Sequence, residues 1–345
     1  MKKLTTILLV LLAVVVFSSF QYRIFCLLLI ALLWRKSITE KYRKFVFIGI
    51  FALLFFSLPN YIQRGRTQLV YFKDKERIST PLPLYLANVI FPEEEIMNLG
   101  VKLNALLPDA LIKGNRMMYD AKHDFWRGKI YGFYSAYNRV NQCGTYTIAQ
   151  AINPYLKEKY NAIYVTKPKH YDADKKYPVV FFAHGFMGSW ELYQGLFNKL
   201  EDCFIVSIGT ADISGFFTIK DIQKCFTTYI PYLKSEGYNI DEKQLHMIGL
   251  SNGGGASDTA LWFFDDKFKT VTYISTDCHA IGKTSAKVLL IGGGKDGSSS
   301  GLPSAKSKFT SCGTEAKILW SDEANHFMLV YEIDKIIDFL KKNYN

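Results

Sequence analysis

The chain has 345 residues, 49% of them hydrophobic, and a formal charge of +11. That much apolar material excludes a disordered chain and suffices for a large core. The charge does not describe a nucleic-acid-binding face: residues 1–66 hold ten Lys/Arg and one acid, whereas residues 67–345 hold 32 basic and 30 acidic residues.

The basic excess flanks three apolar runs, 4–20, 24–34 and 45–58. Lys and Arg beside long apolar segments are the pattern of membrane anchors, so residues 1–62 predict two or three transmembrane helices in contact with membrane lipid. Crossing a bilayer takes about 20 apolar residues. The first run barely reaches that length, the second is short, and the third reaches it only by running to Ile62. A cleavable leader over 1–20 is the alternative, but no small-x-small cleavage site precedes a polar start. The loop 35–44 carries five positive charges and is expected on the cytoplasmic side. Three crossings then place residues 63–345 outside the cytoplasm, and a single crossing over 4–34 reverses the side.

Residues 63–160 mix aromatic and polar residues with irregular breaks and predict short helices and loops, a connecting or cap region whose fold the pattern does not assign. From Asn161 the pattern changes. Short apolar runs at 161–166, 178–183, 203–208, 245–249, 271–276, 287–291 and 316–320 alternate with helix-like segments near 190–201, 218–236, 252–264 and 328–342. Unbroken apolar runs of this length are strands buried on both faces, and their alternation with helices predicts an α/β domain, a mostly parallel sheet with helices on both sides.

Gly249-Leu250-Ser251-Asn252-Gly253 fits G-x-S-x-G, directly follows the strand LHMIG and opens a helix. A strand–turn–helix context is what that motif needs, because a sharp turn lifts the serine hydroxyl above the sheet edge. A serine hydroxyl is a poor nucleophile at neutral pH and requires a base and a group that orients the base. Asp296, after the strand KVLLI, and His326, after the strand AKILW, follow in that chain order, each in a loop at the edge where a parallel sheet presents its active-site loops. Oxyanion donors are expected from the backbone N–H of Asn252 and of Phe186, the latter in the loop after VVFFA.

The blocks YPVVFFAHGFMGS, GYNIDEKQLHMIGLSNGGG, VLLIGGGKD and ANHF resemble those of α/β-hydrolase esterases, and GLSNGG is similar to the feruloyl-esterase and polyhydroxybutyrate-depolymerase branch. The resemblance covers residues 161–345 as the catalytic domain. It implies an eight-stranded-type hydrolase sheet, no cofactor and hydrolysis through an acyl-enzyme, with Ser251 as nucleophile, Asp296 as acid and His326 as base. A small-molecule or lipid-like ester is the substrate class that follows.

Each of these residues has a rival reading. Ser251 fits an ordinary tight turn, Asp277 is a second acid after a strand, and His279 a second late histidine; His184 suits a structural place in the oxyanion loop. Cys143 in Asn141-Gln142-Cys143-Gly144 resembles a cysteine-peptidase nucleophile, but the histidines that follow it, His170 and His184, fall at or inside the hydrolase core, so it reads as packing or a disulfide partner. No CxxC pair suggests a structural zinc, and GGGKDGSSSG lacks the spacing of a phosphate loop. A non-catalytic binding module on this fold, or a peptidase or acyltransferase, stands beside the esterase.

Overall fold

A computed structural model describes residues 2–13, 20–57, 66–79, 93–127, 161–185, 190–210 and 215–344. They fall into two compact units, one made of Met1–Ile62 and Tyr85–Gly144, the other of Gln63–Leu84 and Thr145–Asn345.

The described residues of the first unit are helical. α1 (Lys2–Leu11), α2 (Phe20–Leu33) and α3 (Glu40–Ser57) carry the apolar runs, and Trp34 beyond the end of α2 donates from Nε1 to Thr6 Oγ1 of α1 at 2.6 Å. Then come α4 (Glu93–Leu106), the short α5 (Asp109–Ile112) and α6 (Arg116–Trp126). Asn115 caps α6 by accepting from the Met118 N–H. Trp126 Nε1 and Asn104 Nδ2 tie α4 to α6 by donating to the carbonyls of Ala105 and Met118, at 3.0 and 2.8 Å.

The expected transmembrane helices are not found: among the described residues no helix is long and apolar enough to cross a membrane. At about 1.5 Å per residue α2, with 14 residues, spans roughly 21 Å against a hydrocarbon core of about 30 Å, and α1 is shorter. α3 has 18 residues, but Glu40, Lys41, Arg43 and Lys44 occupy its first turns. The extracytoplasmic placement rested on three crossings and loses that support.

The second unit is built on one nine-stranded sheet of order β2-β1-β3-β5-β4-β6-β7-β8-β9. Its strands are β1 (Thr67–Lys73), β2 (Glu76–Ile78), β3 (Asn161–Thr166), β4 (Tyr177–Ala183), β5 (Phe204–Ile208), β6 (Ile240–Leu250), β7 (Thr270–Ile274), β8 (Lys287–Gly293) and β9 (Ala316–Ser321). From β5 across to β9 every pairing is parallel, while β1, β2 and β3 join antiparallel at one side. Val179, Val180, Phe181 and Phe182 of β4 are all completely buried, as a central strand of Val and Phe covered on both faces must be. The covering helices are α7 (Trp190–Phe197), α8 (Ile219–Lys224), α9 (Ile230–Ser235), α10 (Gly254–Phe263), α11 (Leu302–Ser311), α12 (Met328–Tyr331) and α13 (Ile333–Tyr344). α8 runs into α9 through a π-helical turn, Cys225–Tyr229. The buried side chains of α13, Ile333, Ile336, Ile337 and Leu340, recur at helical spacing and give it one apolar face.

This arrangement is α/β-hydrolase-like, and it includes a part of the chain that the sequence reading left without a fold. Residues 67–78 form β1 and β2, and β1 pairs with β3 from Thr67↔Thr166 to Phe72↔Asn161. The five described cysteines, Cys26, Cys203, Cys225, Cys278 and Cys312, are free thiols; Cys143 lies outside the described residues.

Candidate active site

The register of the sheet brings four strand ends into one row. Leu250 pairs with Ile274, Ile274 with Ile291 and Ile291 with Leu319, so the residues that follow β6, β7, β8 and β9 emerge along a common edge. On the other side of β6, Ala183 pairs with Gly249, which sets His184 and Gly185 beside Leu250 and Ser251. Because the chain runs from β4 outward to β5 and then back across to β6, this edge is a topological switch point, where parallel sheets bind ligands.

Ser251 sits in the turn between β6 and α10 with φ +52°, a left-handed conformation that costs a non-glycine residue of order 1–3 kcal/mol and concentrates at functional sites. The neighbours of the serine must be small. A Cβ on Gly249 would lie 2.3 Å from the Gly253 carbonyl oxygen and 2.6 Å from Ser257 Oγ, and one on Gly185 would lie 2.9 Å from Ser251 Cβ. Ser257 is itself held by donating to the Thr272 carbonyl at 2.8 Å.

His326 reaches the serine from the loop after β9. Its Nε2 lies 3.0 Å from Ser251 Oγ, and its Nδ1 lies 3.1 Å from Asp296 Oδ1. Asp296 caps the short 3₁₀ turn Gly297–Ser299 by accepting from the Ser298 N–H, and the Ser298 hydroxyl also donates to Asp296 Oδ1 at 2.6 Å. Burial pushes the Asp296 carboxyl up, but the hydrogen bond and charge of His326 together with both Ser298 donors outweigh it and hold the group below its ordinary value of 3.8. The carboxylate is thus the favoured form next to the imidazole.

Of the other candidates, Asp277 lies beside Gly301, whose added Cβ would stand 2.8 Å from its Oδ1, and among the described residues no hydrogen bond joins it to His326. His279 is exposed, and its backbone N–H donates to the buried Asp258. His184 is fully buried with Nδ1 2.8 Å from the Gly185 carbonyl; burial pushes it down to about 4, against that hydrogen bond. Asn252 follows the serine in the turn Ser251–Gly253, while Phe186 lies outside the described residues. Ser298 was not singled out from the sequence. Its signal was a serine two positions after the acid in a glycine- and serine-rich loop, where an Asp commonly bonds the backbone two residues on.

Geometrically, these groups form a chain from a buried carboxylate through an imidazole to a half-buried hydroxyl at the sheet edge. Among the described residues no cluster of His, Cys, Asp and Glu suits a metal ion.

No family model and no curated protein matches the sequence. Solved structures do resemble it. The acylaminoacyl peptidase of Pyrococcus horikoshii is 16% identical with a TM-score of 0.42, over 53% of this chain and 40% of that one. A thermostable esterase is 18% identical with a TM-score of 0.44, over 54% of this chain and 60% of that one. The chain therefore spans less than two thirds of either. A ferulic acid esterase from Anaeromyces mucronatus, solved with ferulic acid, is 18% identical with a TM-score of 0.42, over 55% of this chain and 86% of that one.

Proposed function

We propose that the chain is a serine hydrolase that cleaves a small-molecule or lipid-like ester through an acyl-enzyme on Ser251. The observation that carries the reading is the double contact of His326, with Nε2 3.0 Å from Ser251 Oγ and Nδ1 3.1 Å from Asp296 Oδ1. With the proton on Nδ1, held by Asp296, Nε2 is free to take the hydroxyl proton as Oγ attacks the ester carbonyl. The imidazolium returns that proton to the departing alcohol, leaving the acyl group on Oγ. Water then enters, gives a proton to Nε2 and attacks the acyl carbon, releasing the acid and restoring the hydroxyl. The negative oxygen formed in each half would be met by the Asn252 and Phe186 N–H groups, and the loss of one such donor costs about 3–4 kcal/mol of transition-state stabilisation.

The test is Ser251→Ala. Turnover of p-nitrophenyl acyl esters and labelling by a fluorophosphonate should disappear while the folded circular dichroism spectrum persists. Labelling that survives in the variant overturns the assignment, and folded wild-type protein that forms no adduct favours a binding module instead. An ester preference over peptides and acyl acceptors, measured on parallel panels, separates the esterase from a peptidase or an acyltransferase on this fold.

For the helical unit we propose a lipid surface as partner. Leu4, Ile7, Leu8, Phe45, Ile48 and Phe51 are exposed, and Lys2, Lys3, Lys41 and Lys44 stand exposed near the ends of the same helices, a combination suited to anionic headgroups. Co-sedimentation with phosphatidylserine vesicles but not with neutral ones is expected; equal recovery in both supernatants rejects it.

A further inference from the structure

Among the described residues the Asp296 carboxylate makes all its hydrogen bonds through one of its two oxygens. Oδ1 accepts from the Ser298 hydroxyl at 2.6 Å, the Ser298 N–H at 3.1 Å and His326 Nδ1 at 3.1 Å, whereas the buried Oδ2 has no hydrogen-bond partner. One residue therefore supplies two of the three donors that fix the carboxylate. The same Ser298 oxygen lies 2.9 Å from His326 Nδ1, nearer than the carboxylate oxygen at 3.1 Å.

A hydroxyl has one proton and two lone pairs. At 2.6 Å the proton goes to Asp296, the stronger acceptor, which leaves the lone pairs facing the imidazole. The base then has its Nδ1–H between two oxygens, those of Asp296 and Ser298, with the two oxygens joined to each other. Such a fork restricts rotation of the ring about the axis that points Nε2 at Ser251, and it fixes the proton on Nδ1, the tautomer the reaction needs. The Ser298 oxygen also lies 3.3 Å from the carbonyl oxygen of Ser275, which competes for the single hydroxyl proton at a longer distance than Asp296 Oδ1 at 2.6 Å.

We propose that Ser298 is a positioning residue for the reaction, its hydroxyl holding both Asp296 and the Nδ1–H of His326 so that the imidazole is already aligned on Ser251. This rests on the assignment of Ser251, His326 and Asp296 as the reacting groups.

The experiment compares Ser298→Ala and Ser298→Thr with wild type, and runs Ser251→Ala and His326→Ala beside them. Readouts are kcat and KM on a p-nitrophenyl ester, the rate of fluorophosphonate labelling, the melting temperature, and the low-field proton resonance of an imidazole N–H held by a carboxylate. Ser298→Ala is expected to lower kcat and the labelling rate about tenfold, the effect of one hydrogen bond, with KM and melting temperature unchanged. The low-field resonance should move in the same variant, and Ser298→Thr, which keeps the hydroxyl, should restore most of the rate. Wild-type kcat with an unmoved resonance in Ser298→Ala overturns the proposal. So does a loss of rate that follows a loss of melting temperature and is not restored by threonine, for that is a turn residue. If Ser251→Ala and His326→Ala remain active, the assignment of the reacting groups fails and the proposal falls with it; if they are inactive and Ser298→Ala is normal, only the role of Ser298 fails.

Discussion

Gly253 leaves no room for a side chain against the end of β4: a Cβ there would stand 2.3 Å from the Ala183 carbonyl oxygen and 2.6 Å from that of His184. The contact is with backbone, so relief requires the turn carrying Ser251 to move away from the loop that bears the expected oxyanion donor. Gly253→Ala should cost roughly 1–3 kcal/mol of stability, as overpacking does, and slow fluorophosphonate labelling as well. Gly255, two residues on in α10, meets nothing within 4 Å, and its replacement by alanine should be neutral or stabilise by up to about 1 kcal/mol. Thermal melts and labelling rates of the two variants side by side decide it; equal behaviour removes the argument from close approach.

Asp296→Asn keeps the shape of the side chain but takes away the charge that fixes the imidazole tautomer. An amide that presents N–H to Nδ1 places the proton on Nε2, where it blocks the acceptance of the serine proton. By analogy with triads in which the acid sets the tautomer, kcat should fall by about three to four orders of magnitude with little change in KM. The acid also caps a short turn, so a stability loss of about 1 kcal/mol is expected beside it. Steady-state kinetics with p-nitrophenyl esters would show it, and a loss below tenfold would remove Asp296 from the mechanism.

The central and C-terminal strands were legible because each is a short unbroken apolar run: 161–166 coincides with β3, and 287–291 lies inside β8. The meeting of Ser251, Asp296 and His326 at one sheet edge was legible because each follows an apolar run that forms a parallel strand. β1 was not. Its sequence TQLVYFK has a burial pattern that is not a clean alternation, since Val70, Tyr71 and Phe72 are buried consecutively, and it is separated from β3 by over 80 residues, a distance at which local pattern says nothing about pairing. α11 was missed because LPSAKSKFTS buries just Leu302, Ala305 and Phe309, a stripe too thin to read as amphipathic. The apolar N-terminal runs misled because composition reports attraction to lipid, while crossing also requires uninterrupted length.

Acid should weaken the fold through two buried histidines. Burial pushes His184 down from 6.5 to about 4 and His246 from 6.5 to about 3; His246 has Nδ1 2.9 Å from Thr270 Oγ1 and stacks on Tyr344 with ring centroids 4.0 Å apart. As pH falls through 6.5 the unfolded chain takes up these protons while the folded one does not. The stability they contribute is therefore complete above pH 6.5 and is lost on the way down to the folded values, on the order of 3 kcal/mol each by pH 4. Asp296, depressed below 3.8, adds its own loss only at lower pH. Urea unfolding at pH 7, 5.5 and 4 should show the decline, and His246→Phe should make it shallower; a flat profile between pH 6.5 and 4 contradicts the burial of both imidazoles.

The partnership of β1 with β3 predicts where the second unit can be cut. Starting the chain at residue 161, where the apolar pattern becomes regular, removes β1 and β2 and with them the buried Val70, Tyr71 and Phe72. Ile163 and Val165, buried and part of the same core as Val70 and Phe72, would face water on a newly opened edge, and buried Thr166 would lose the hydroxyl contact its Oγ1 makes with Thr67 Oγ1 at 2.7 Å. An unpaired edge strand with apolar faces is a template for self-association. Residues 161–345 alone should therefore be recovered as aggregate and fail to label with a fluorophosphonate, whereas the full chain, which keeps β1 and β2, should be recovered folded and label, as judged by size-exclusion chromatography followed by labelling. A monomeric, reactive 161–345 fragment would show that the antiparallel strands are dispensable to the sheet and to the alignment of Ser251 with His326.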